Sequence, residues 1–426
     1  MLLHAPQFRI RKPFTKAGNS SGSGLLVLLH LCIASVLPAH AQNQLDLGDW
    51  SLDEQASLFE PSLGIELRHD DNIFRSAINE QSSLITILSP EMLIGFAPSN
   101  NKFALAYNGE FASYADSSTD NYADHNFGAA ASFTVGRRGM LEFIGTYEDA
   151  HQNRGSGLSE GFVAGANLLL DEPDEYTSSD VLGRFTFGTS RSTARLVMEL
   201  GQGHLEYTND LDRNRFFEYD DRYAGATFYL RVMSNTSLLL DVRGTDIEYP
   251  VARALQPRRD SKEYRYLLGA TWDVTGKSAG TVKVGFVEKR YPDPTRADFA
   301  EASWEVEIRW SPRSYSYFDF ATSRYPSEVT SVTGDLIDNT DYSIAWSHEW
   351  NERIKTELAA SYEDEDFQGS ALARTQKLFE YGVTLTYEMR RWLSWDLGVD
   401  VSSRDSNIDN FDFDGTIIRL AAQLTF

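Results

Sequence analysis

The sequence predicts an all-β fold: a transmembrane antiparallel up-and-down β-barrel of about 18 strands that follows a cleaved signal peptide. Three observations predict it. Apolar residues recur with a period of two along most of the chain. Short and long connections alternate strictly between these segments. A secretory leader opens a chain whose remainder has no apolar run approaching the ~18 residues of a membrane helix.

The leader comes first. Residues 1–41 hold no acid and the bases Arg9, Arg11, Lys12 and Lys16, then an apolar run from Leu25 to Leu37 and the small-x-small exit Ala39-His40-Ala41. That order describes a signal peptide. The single cysteine, Cys32, lies inside it, and "LHLC" lacks the small residue a lipoprotein site places before its cysteine. A secreted chain with no cysteine left cannot be a disulfide scaffold. Residues 42–60 read as a short periplasmic lead-in: a disordered start, a plug or a docking peptide. The barrel is expected over 61–426.

The net charge is −23 and becomes more acidic once the basic leader is lost. This argues against a nucleic-acid partner, which needs a basic footprint. An aromatic share of 12% argues against disorder.

The strands follow. "ASWEVEIRW" sets Ala302, Trp304, Val306, Ile308 and Trp310 against Ser303, Glu305, Glu307 and Arg309. "YSIAWSHEW", "EYRYLLGATWDV" and "LSWDLGVDV" alternate in the same way. The final segment sets Ile418, Leu420, Ala422, Leu424 and Phe426 against Arg419, Ala421, Gln423 and Thr425. A soluble sandwich would also alternate, so the connections decide. Eight tight turns, such as "PSNN", "GRRG" and "SPRS", alternate with nine longer acidic loops, which gives an even strand number. In outer-membrane barrels short turns are periplasmic and long loops extracellular. Trp310, Trp350, Trp392 and Trp395 flank short turns, while Tyr107, Tyr114, Tyr207 and Tyr291 lie near long loops, as two interface girdles would.

The segments "PSLGIELRHDDNIFRS" and "LITILSPEMLIGF", with "YADH" (Tyr122–His125), "GRRG" (136–139) and the "DEY" before the sixth strand, resemble the β-barrel porins (type 2) described with exopolysaccharide-synthesis clusters of Gram-negative bacteria. His69 stands where the family pattern opens with Tyr. The resemblance spans the chain after the leader and carries no catalytic signature. It implies an outer-membrane barrel that helps export a polysaccharide. The Leu420, Leu424 and Phe426 ending likewise resembles the signal read by the barrel-assembly machinery.

The polar strand faces name a lumen wall. Its bases are Arg184, Arg195, Arg243, Arg265, Arg309 and Arg419. Its acids are Glu199, Asp241, Glu305, Glu307, Asp396 and Asp400, with Asp273 and Glu357. Such a wall is either a conduit for a hydroxyl-rich or charged solute, or a set of ion pairs that fills the lumen. The connection 150–179 contains "GFVAGANLLLDEP", read as an inward constriction built on Leu168, Leu169 and Leu170, or as an extra hairpin that raises the strand count. The acid runs Asp70-Asp71, "DEPDE" (171–175) and "EDED" (363–366) lack the spacing of a calcium loop and read as solvated extracellular charge.

No motif joins His69, His125, His151, His204 or His348 to a nucleophilic serine, so an outer-membrane lipase or deacylase is the weakest reading. No cofactor or metal motif is present. The main expectation is a pore or export component for exopolysaccharide, and the alternative is a passive porin for small or saccharide solutes. The partners expected are outer-membrane lipid and lipopolysaccharide, the assembly machinery, a polysaccharide and a periplasmic export partner.

Overall fold

Alternation bounded by Gly, Asn and Ser turns folds into a single sheet of 18 strands, each paired with its chain neighbours. The computed structural model describes residues 57–426 except 162–171, 254–255, 275–276, 330–333 and 370–372. The leader and residues 42–56 thus lie outside the described residues, as do Leu168, Leu169 and Leu170. The first six strands are β1 (Ser57–Asp70), β2 (Ser83–Phe96), β3 (Lys102–Tyr114), β4 (Tyr122–Val135), β5 (Gly139–Gln152) and β6 (Asp174–Phe187). Next come β7 (Ala194–Tyr207), β8 (Tyr219–Met233), β9 (Thr236–Glu248), β10 (Ser261–Val274), β11 (Ser278–Arg290) and β12 (Phe299–Arg313). The last six are β13 (Ser316–Glu328), β14 (Leu336–Asn351), β15 (Ile354–Gln368), β16 (Thr375–Arg390), β17 (Leu393–Ser406) and β18 (Phe413–Thr425). Residues 57–60, expected in the lead-in, belong to β1, which pairs with β2 from Ser57↔Phe96 onward.

The sheet closes on itself through β1 and β18, from Ser62↔Thr425 to Asp70↔Ile417. The Phe426 N–H adds a bond to the Pro61 carbonyl at 3.1 Å. Inside the seam, Gln423 Nε2 donates to Ser62 Oγ (3.1 Å), which donates to Glu91 on β2 (2.7 Å). Closure removes every sheet edge, which is what lets strands stand in hydrocarbon. β5 pairs directly with β6 up to Gln152↔Asp174, so no extra hairpin enters the barrel between them.

The outward face is apolar and exposed: Leu105, Phe127, Leu200, Leu268, Val284 and Leu397 all point away from the lumen. A soluble protein rarely leaves so continuous an apolar surface uncovered. On β10 this band runs from Tyr264 to Trp272, about 20 Å of bilayer depth at the rise and tilt usual for such strands. Ion pairs mark its outer rim: Lys262–Asp246 at 2.9 Å, Arg290–Glu288 at 2.6 Å and His204–Asp220 at 2.8 Å.

The tryptophan girdle near the short turns is present, with Trp310, Trp350, Trp392 and Trp395 exposed outward. The tyrosine set needs correction. Tyr107 stands on the outward face, but Tyr114, Tyr207 and Tyr291 are buried toward the interior. Two of these phenols find a polar partner there: Gln152 Nε2 donates to Tyr207 Oη at 3.0 Å, and Tyr114 Oη donates to Asn153 at 3.4 Å, whereas the Tyr291 hydroxyl has none among the described residues. Tyr147, Tyr342 and Tyr381 are among the tyrosines exposed outward.

Candidate functional site

The inner wall of β6, β7 and β9 to β12 carries a lattice of opposite charges, because every second residue of each strand shares that face. Glu199 accepts from Arg184 Nε at 2.7 Å and from Arg243 Nη2 at 2.9 Å. Lys283 Nζ bridges Asp241 at 3.2 Å and Glu305 at 2.6 Å, and Arg265 pairs with the same Glu305. Arg309 clamps Asp319 through two bonds of 2.6 and 2.9 Å. On the other side Arg419 reaches Asp400 at 3.1 Å and Thr384 Oγ1 at 2.8 Å, Asp396 accepts from Thr386, and Lys355 meets Glu357 at 3.1 Å. Arg195 lies over the Tyr229 ring, 4.1 Å from its centroid. Glu307 and Asp273 make no ion pair among the described residues. Between β6 and β12 the lattice thus mixes both signs and forms no ring of single sign.

The second part of the site is the connection after β5. Gly155 adopts φ +78°, and a Cβ there would lie 1.7 Å from the Phe74 carbonyl oxygen, so only glycine lets the chain turn past the β1–β2 loop. Arg154 pairs with Asp120 and covers the Phe74 ring at 4.3 Å. Leu158 is buried in a cluster with Tyr176, Leu205, Tyr207 and Phe217 on the β6–β7 side. Two residues later Glu160 pairs with Arg374 at 2.6 Å and with Arg404 of β17. Gly161 lies against the Phe411 ring. Two residues span at most about 7 Å, so this short segment ties walls that are far apart around the barrel. It crosses the lumen.

Burial pushes the Glu160 carboxyl up, but the Arg404 and Arg374 guanidiniums more than reverse this and take it down to about 2. A carboxyl lowered in the folded state stabilises docking fully above its ordinary value and loses that contribution only as pH falls through the lowered one. Conductance governed by this loop is therefore expected to stay constant from about pH 7 to about pH 5. Single-channel recordings across that range check this, and a rise within it would contradict the assignment.

Several residues stand elsewhere than the sequence suggested. "EDED" is part of β15, and Glu363 and Glu365 are buried inside while Asp364 and Asp366 face away. Strand alternation, which the acid run disguises, is the reason. Asp174 of "DEPDE" is buried and held by Arg213 and by Asn214 at 2.8 Å. Asp71 Oδ1 accepts from the Thr416 N–H at 2.6 Å. These acids are structural. His348 faces outward among Tyr315, Trp346 and Trp350, and His151 bonds Asp124 at 2.9 Å and Asn153 at 3.1 Å. Sequence reasoning missed Lys283, Glu160, Arg374 and Arg404. Lys283 was legible from the alternation of "TVKVGF", whereas the other three meet only through the crossing loop.

The family described as "Putative beta-barrel porin 2" matches residues 57–426. None of the curated proteins compared with the chain matches it. Among solved structures it is similar to the outer-membrane protein OpdK of Pseudomonas aeruginosa, at 12% identity over 87% of this chain and 99% of that one, with a TM-score of 0.47. OccK2 (OpdF) of the same organism, solved in complex with glucuronate, shares 10% identity over 86% and 98%, with a TM-score of 0.48. OprD shares 11% over 86% and 95%, with a TM-score of 0.44.

Proposed function

From the premise that this chain belongs to the beta-barrel porin 2 family, we propose that it is a passive, non-enzymatic diffusion pore for small hydrophilic solutes. It resides in the bacterial outer membrane. The observation that carries the reading is the crossing loop: a lumen spanned at Leu158–Glu160 suits a small solute better than a polymer. Export of exopolysaccharide, the first expectation from sequence, finds no support in this arrangement. The paired lattice above Arg265 and Glu305 offers hydroxyl-binding groups without trapping an ion of either sign. The C-terminal strand, with Leu420, Leu424 and Phe426 on its lipid face, is the segment we assign to recognition by the assembly machinery, and lipopolysaccharide is the assigned neighbour of the charged outer rim.

The test joins planar-bilayer conductance to swelling of liposomes that hold the full barrel. A steady conductance is expected, with entry of mono- and disaccharides and exclusion of a long polysaccharide. A correctly folded barrel that is electrically silent and impermeable to small sugars would refute the proposal.

A further inference from the structure

In this acidic chain, one external pocket reverses the charge balance. Arg253, Arg258, Arg259 and Arg296 line it against a single carboxylate, Asp335. The rings of Phe216, Phe217 and Tyr249 complete the wall. These residues come from four consecutive long loops, those after β7, β9, β11 and β13.

Two of the arginines are engaged by the loops themselves, Arg258 within its own loop and Arg296 across three of them. Arg258 pairs with Asp260 at 2.5 Å and donates to the Tyr249 carbonyl at 3.0 Å. Arg296 pairs with Asp335 and donates to the carbonyls of Arg258 (2.8 Å) and Pro257 (3.1 Å). The other two have a different environment. Arg253 lies 5.0 Å from the centroids of both Phe216 and Phe217. Arg259 lies 5.2 Å from Phe217 and 4.6 Å from Tyr249, and donates one bond, 2.8 Å, to the Val329 carbonyl. Its buried Nε has no hydrogen-bond partner. Among the described residues neither makes an ion pair. Glu328, an acid whose field reaches Arg259, is already bonded by Lys289 and Tyr249. Burial and the adjacent Arg259 charge push Arg253 down from its ordinary value, as befits a cation without a counter-charge.

A guanidinium stacked on a ring keeps its in-plane N–H edge free, and that edge matches a carboxylate bidentately. The neighbouring ring faces take up an apolar ring surface, either an aromatic ring or the C–H face of a pyranose. We propose that this pocket is an external binding site for a small carboxylate borne on a ring, with Arg253 and Arg259 gripping the carboxylate and Phe216, Phe217 and Tyr249 cradling the ring. Both a uronic-acid sugar and an aromatic acid have this chemistry. The site requires no conduction, although Phe217 also packs in the cluster that seats Leu158 of the crossing loop.

Calorimetric titration of the full barrel in detergent tests it, with glucuronate and benzoate as probes and glucose and benzyl alcohol as their neutral counterparts. Saturable binding of one or both acids, with none of the neutral compounds, is the expected result. Which acid binds identifies the ring. Arg253→Gln, at a side chain that makes no ion pair among the described residues and lies against the Phe216 and Phe217 rings, is expected to weaken binding about tenfold or more, with Arg253→Lys intermediate because it keeps the charge but loses the planar fork. Heat-modifiable migration on gels confirms that each variant is folded. Should Arg259→Gln be needed as well, it is expected to act in the same direction. Absence of binding by both acids, equal binding of the neutral compounds, or unchanged affinity in both folded variants would overturn the site.

Discussion

Glu160→Gln in the full barrel is expected to raise single-channel conductance severalfold. The carboxylate sits between Arg374 and Arg404, and all three side chains are almost wholly buried. Removing one partner of a buried ionic cluster costs about 3–5 kcal/mol, because the remaining charges are left uncompensated. Here two guanidiniums would face one another. That cost exceeds a hundredfold in an equilibrium constant, enough to undock a short loop whose other anchors are Leu158 and Arg154. Arg374→Gln should do less, since Arg404 still meets Glu160. Conductance unchanged in a folded Glu160→Gln barrel would mean that the apolar seat of Leu158 alone holds the crossing.

Leu268→Arg carries the second large effect, on stability. Leu268 is 62% exposed in the middle of β10, on the face assigned to lipid. An arginine at the bilayer midplane of such a barrel costs about 2–4 kcal/mol, falling toward the interfaces. Urea unfolding in lipid vesicles should therefore show a midpoint lowered accordingly. Lys262→Leu, on the same face of β10 but at the charged rim, should leave the midpoint in place. An unshifted midpoint for Leu268→Arg would show that this residue does not meet hydrocarbon.

Much of this architecture was readable from alternation, since a strand has two faces and assigning one residue assigns them all. "ASWEVEIRW" therefore sets Glu305 opposite Trp304, and in β10 Arg265 falls opposite Tyr266. Register is another matter. That Lys283 would bridge Asp241 and Glu305 depends on how β9, β11 and β12 slide along one another through β10, and no single strand records this. The tyrosines misled because a Tyr near a long loop serves either face equally well. The density of apolar residues points to Leu168, Leu169 and Leu170 for a constriction, and these lie outside the described residues. The described contacts lie just before that segment, at Leu158 and Glu160, where the decisive feature is one acid whose partners lie 214 and 244 positions further along the chain.

The seam described above, where Gln423 meets Ser62 across 361 positions, also governs timing. Until β18 reaches β1, both strands carry a row of unpaired N–H and C=O groups, and each such group in hydrocarbon costs several kcal/mol. A half-built sheet therefore has no stable resting place in the bilayer. Insertion and the final pairing are therefore expected to be coupled, and a chain lacking its last strand is expected to fail to enter lipid vesicles rather than become a smaller pore within them.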